Sequence, residues 1–112
     1  MKSIKVPILN DEWSVIVCWG KPDYISKTLK SWGYPQEDVK SSMLGRRGVC
    51  YYHSGCHPII ALPGKPKTAQ EIGTLAHEAV HAIEDIFINV NQPLGGEVFA
   101  HSVGAVVRNA LK

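Results

Sequence analysis

TAQEIGTLAHEAVHAIEDIFIN, residues 68–89, decides the fold. Ile72, Leu75, Ala76, Ala79, Val80, Ile83, Ile86 and Phe87 recur in it at helical spacing. The start is marked as well. Pro66 breaks the chain, and Thr68 and Glu71 then stand three apart, as in a capping box. The stretch therefore reads as one long helix from about 68 to about 89. A helix advances about 100° per residue, so residues four apart share a face. His77 and His81 are four apart and lie mid-helix, where their spacing is rigid.

Working outward, the turn residues Asn91, Pro93, Gly95 and Gly96 end this helix. Glu97 to Leu111 reads as a second helix, with Val98, Phe99, Val103, Val106, Val107 and Leu111 as its apolar contacts. On the N-terminal side, Pro58 to Leu62 and Val49 to Tyr52 read as short strands with a turn at Ser54 and Gly55. Residues 36–48 are polar, carry Arg46 and Arg47, and read as a loop. YISKTLKSW, residues 24–32, has a helical pattern with Asp23 as its candidate N-cap. WSVIVCW, residues 13–19, is short and rich in β-branched and aromatic residues, which suits a buried strand. IKVPIL is a further strand candidate that Pro7 confines to an edge. The sum is an α/β (α+β) chain: a small mixed or antiparallel sheet packed on a long helix and a C-terminal helix. It forms a single domain over residues 1–112.

Composition narrows the function classes. The net charge is +2, too small to argue for nucleic acid as a partner. Lys21, Lys27, Lys30, Lys65 and Lys67 read as solvated surface. No apolar run is long enough to span a bilayer, and MKSIKVPILNDEW lacks the pattern of a secretory signal. The odd cysteine count (Cys18, Cys50 and Cys56) suits free thiols in a reducing cytoplasm rather than a disulfide scaffold.

HEAVH, residues 77–81, carries the chemistry. Two imidazoles one turn apart can grip one small cation, and Zn2+ favours such nitrogens at about 2.0–2.1 Å. Glu78 lies beside that face, where it can serve as a general base without being a ligand. The residues around these three are uncharged, as a partly buried catalytic helix requires. A bare HExxH also turns up in unrelated helices, so the surroundings matter.

A catalytic zinc site uses three protein ligands. A third histidine six residues after His81 would be the metzincin spacing, but that position holds Phe87. Glu97, in the first turn of the next helix, is the best candidate for the third ligand. His101 stands one turn later, where it can donate to an oxyanion as a catalytic helper or replace Glu97 as ligand. Gly104 continues the stripe and would let the two helices approach. Asp85 either orients a ligand imidazole or is an ordinary surface charge.

HEAVH with a following helical glutamate resembles the gluzincin class of zinc metallopeptidases. IIALPGKPKTAQEIGTLAHEAVHAIEDIF with GGEVFAHSVGAVV is similar to small bacteriophage HExxH proteins of that class, over roughly residues 57–108. The resemblance implies a minimal zincin-like domain with Zn2+ on His77, His81 and Glu97, Glu78 catalytic, and peptide or protein as substrate in the host cytoplasm. An aromatic residue is usual in those proteins where this chain has His101. The class also implies a strand along the cleft on which a peptide can pair, and His57 to Leu62 is the candidate.

Other readings compete. Cys50, His53, Cys56 and His57 lie close enough in sequence for a structural zinc, although Ser54 and Gly55 read better as a hairpin turn. His57 is expected near the cleft. A catalytically silent, zinc-stabilised protein that binds a host or phage protein is the non-enzymatic alternative. A nucleic-acid accessory role would use Arg46, Arg47 and the lysines.

Overall fold

In the computed structural model, which describes residues 2–112, each strand is apolar enough to be covered by helices on at least one face. The order is β1 (Lys2–Ile8), β2 (Trp13–Trp19), α1 (Pro22–Ser31), α2 (Val39–Met43), β3 (Val49–Tyr51), β4 (Ile59–Leu62), α3 (Ala69–Asn89) and α4 (Gly96–Leu111). The sheet runs β1-β2-β4-β3. β2 is antiparallel to β1 and parallel to β4, and β4 is antiparallel to β3. The sheet is therefore mixed, as expected.

Side-chain alternation splits the core in two. Val15, Val17, Ile60 and Leu62 point to the face covered by α3 and α4. Ile16, Cys18, Ile59 and Ala61 point to the face covered by α1 and α2, where Ile25, Leu29 and Val39 meet them. Strands covered on both faces carry unbroken apolar runs, and β2 and β4 are the two interior strands.

α3 follows its sequence closely. The Thr68 hydroxyl accepts from the Glu71 amide at 3.1 Å, and the Glu71 carboxylate accepts from the Thr68 amide at 3.0 Å. Leu75, Ala79, Ala82, Ile83, Ile86 and Phe87 bury its inner face. α4 packs on α3 through the edge-on ring pair of Phe87 and Phe99, with centroids 5.4 Å apart.

Several expectations need correction. Asp23 is not a cap: α1 starts at Pro22 with Lys21 at the N-cap position. Proline at the first helical turn needs no amide partner, so the helix begins before the acid. Residues 36–48 are not all loop, because α2 forms within them, its N-cap Asp38 accepting from the Ser41 amide. β4 is not an edge strand, since β2 and β3 flank it; the free edge beside α3 is β3. Gly104 does not serve helix approach either: a Cβ there would meet only the Arg108 side chain.

Candidate metal and catalytic site

The capping box sets the phase of α3, and its buried face sets which residues point outward. His77 and His81 fall on the exposed side, and Glu78 on the inner shoulder with 8 % exposure. The two Nε2 atoms lie 3.1 Å apart. Two nitrogens on one tetrahedral ion at 2.0–2.1 Å would stand about 3.3 Å apart, close to what is seen. His77, Glu78 and His81 each offer a ligand atom within 4.8 Å of the others, the only such group of three among the described residues.

Glu78 adds a second observation. Its Oε2 is buried and has no hydrogen-bond partner. A buried carboxylate oxygen without a donor is costly, and few are found in native proteins. An orphaned acid oxygen beside two facing imidazoles fits a centre that holds a cation and a water. Two imidazole nitrogens at this spacing suit zinc.

His81 has a further neighbour that sequence reasoning passed over. Its Nδ1 lies 3.5 Å from the Glu84 carboxylate. A proton on Nδ1 facing that acid leaves the Nε2 lone pair free towards His77. The signal was present in the i,i+3 spacing of His81 and Glu84. Asp85 reads from its spacing either as an orienter of an imidazole or as an ordinary surface charge. It instead stands partly buried beside Tyr52, His81, Glu84 and Ile88, and burial pushes its carboxyl above the usual range.

Glu97 and His101 form a pair of their own, Oε2 to Nε2, 3.5 Å apart. Both side chains are exposed, Glu97 by 92 %. The structure thus brings together His77, Glu78 and His81 and leaves Glu97 and His101 outside that cluster.

Two open grooves run along the outer face of α3. The larger, about 740 Å³, adjoins His77 and Glu78 and is walled by the loop from Gly45 to Gly48. The smaller, about 240 Å³, adjoins His81 and is walled by Tyr52, Glu84, Asp85 and Ile88. Burial first, then the Cys50 thiol beside it, pushes the Tyr52 phenol upward, so its hydroxyl stays protonated and can donate. Gly48 explains the closeness of the first wall. A Cβ there would meet Leu62 Cδ2 at 2.9 Å, Thr74 Cγ2 at 3.0 Å and Glu78 Cγ at 3.5 Å. A side chain at this position would have to push Leu62 and Thr74 aside, so glycine favours the close approach of the loop to α3.

The Cys50, His53, Cys56 and His57 set does not assemble. Cys50 packs on the α3 side of the sheet and Cys56 on the α1 side. Burial pushes the Cys50 thiol up to about 12, so it remains protonated. His53 lies against Tyr34. His57 sits between Trp13 and Trp32 and accepts from the Ser14 amide at 3.2 Å, on β2 rather than at the α3 cleft.

No family model matches the chain, and no curated protein and no solved structure is significantly similar to it. No helix among the described residues is long and apolar enough to cross a membrane.

Proposed function

We propose that the protein is a zinc-dependent hydrolase of peptide bonds, with His77 and His81 as metal ligands and Glu78 as general base. The observation that carries this reading is the pair of Nε2 atoms 3.1 Å apart beside a buried, unpartnered Glu78 oxygen. Glu97 is the proposed third ligand. Its carboxylate is exposed and bound only to His101, so a rotamer change frees it. When bound, the zinc would supply a Lewis acid that makes a coordinated water acidic near neutral pH. Glu78 is the proposed acceptor of that water's proton, which it would return to the leaving amine. His101, released from Glu97, is the proposed donor to the developing oxyanion, and the Tyr52 hydroxyl is a second donor near His81. Peptide or protein is the proposed substrate.

A silent zinc-stabilised binding module is the second reading. One feature favours it: Glu97 pairs with His101 and not with the two histidines. Glu78 argues against it, because a closed structural shell gains nothing from a buried acid left without a donor.

The test is hydrolysis of a quenched fluorogenic peptide library by zinc-loaded wild type and Glu78→Gln. The hydrolase reading expects activity in the wild type and a loss of about 10²–10⁴-fold in the variant at equal zinc content. Absence of activity in both, with zinc bound, would favour the binding module.

A further inference from the structure

We propose that Arg46 and Arg47 form an anion-binding end of the cleft, and that the substrate is a peptide with a carboxylate on the His77 side of the scissile bond. The proposal rests on the hydrolase reading for the place of the reacting centre, and it adds the substrate class.

Both arginines are exposed, and neither makes an ion pair among the described residues. Both line the groove that contains His77 and Glu78. Both also line the adjoining groove, about 380 Å³, that runs to the start of α3 at Thr68 and Gln70. Gly48 packs this loop against Thr74 and Glu78, so the backbone that carries the two arginines lies close to α3. The carboxylates nearest to them, Glu71 and Glu78, make no ion pair with either arginine. Glu71 accepts from the Lys67 and Thr68 amides. Glu78 is buried at the reacting centre. The N-terminal end of α3 adds its own positive potential to the same end. A guanidinium fork matches a carboxylate in shape and charge.

The other end of the cleft has the opposite sign. Glu84 and Asp85 stand beside His81 with Tyr52 and Ile88. β3 links the two ends, because Gly48 precedes it and Tyr52 follows it. A peptide paired on this free edge would cross both grooves, and the field would set its direction. Phosphates of a nucleic acid also fit an arginine pair. Lys40 shares a groove with Arg46, but Glu84 and Asp85 at the other end would repel a polyanion running along the cleft. A short acidic peptide is the better match.

The test uses labelled, C-terminally amidated octapeptides that carry Glu, Gln or Lys at each position in turn, and the Gln set with a free C-terminal carboxylate. Binding is read by fluorescence anisotropy on zinc-loaded Glu78→Gln protein, and cleavage by mass spectrometry on the wild type. Glu or free-carboxylate peptides are expected to bind about tenfold more tightly than Gln or Lys peptides. The two carboxylate sets tell side chain from terminus. Arg46→Gln/Arg47→Gln is expected to reduce the preference to less than about twofold, and Arg46→Lys/Arg47→Lys to retain part of it. Equal affinity for all peptides, or none at about 1 mM, overturns the proposal. So does a single-stranded oligonucleotide that displaces the Glu peptide through the same arginines. Cleavage without acid preference sinks this proposal and leaves the hydrolase reading standing. Arginine-dependent acid preference without cleavage sinks the hydrolase reading and leaves Arg46 and Arg47 as a binding site for an acidic peptide.

Discussion

Glu78 is held where water cannot reach one of its oxygens and no donor replaces it. Such a group is kept at a cost to stability. Glu78→Met in metal-free protein is therefore expected to raise stability by about 1–2 kcal/mol, read as a higher denaturant midpoint, while activity is lost. An unchanged or lower midpoint would mean that the carboxylate has a partner in solution. His57 gives a second prediction at this scale. Burial, and then the nearby Lys5 charge, lower its pKa below 6.5. The unfolded chain thus binds that proton more readily, and stability falls as pH drops through 6.5 towards the folded value. Denaturant midpoints at several pH values should show this loss, and His57→Gln should flatten it. At this scale HEAVH was legible because its geometry is local to one helix. The contacts of Gly48, Arg46 and Arg47 were not, because they come from a loop that returns to α3 from a distant part of the chain.

At the scale of elements, α3 depends on its cap. Thr68→Ala is expected to cost about 1 kcal/mol and to lower Tm by about 4 °C, with zinc binding retained, since His77 lies two turns inside the helix. Loss of zinc with the cap would mean that the site needs the whole helix to be rigid. α3, β2 and α4 were readable because their periodicity is strong. α2 was hidden by its polar sequence, VKSSM, and depends on one Asp38 cap bond. β4 was taken for the cleft edge, although IIAL has no polar alternation and is buried throughout. That unbroken apolar run is the mark of a strand covered on both faces. The order β1-β2-β4-β3 is non-sequential and follows from packing that no local pattern encodes.

For the molecule as a whole, α4 carries Glu97, the proposed third ligand, and the Phe87–Phe99 contact holds it to α3. Phe99→Ala is expected to destabilise by about 3 kcal/mol and to weaken zinc binding together with the fold. Binding to the folded state alone also stabilises it: zinc at about a hundred times its Kd adds about 2.7 kcal/mol. Zinc should raise Tm in the wild type and leave His77→Ala/His81→Ala unmoved. The fold class was legible in the sequence, and so was the grouping of His77, Glu78 and His81. Whether Glu97 completes the site was not, because it depends on how α4 seats against α3.

Zinc per chain, by elemental analysis of wild type, His77→Ala/His81→Ala and Glu97→Ala, tests the central claim most directly. The account predicts about one zinc in the wild type, none in the double variant and much less than one in Glu97→Ala. No zinc in reconstituted wild type would contradict the metal centre itself. Full zinc in Glu97→Ala would contradict its third ligand.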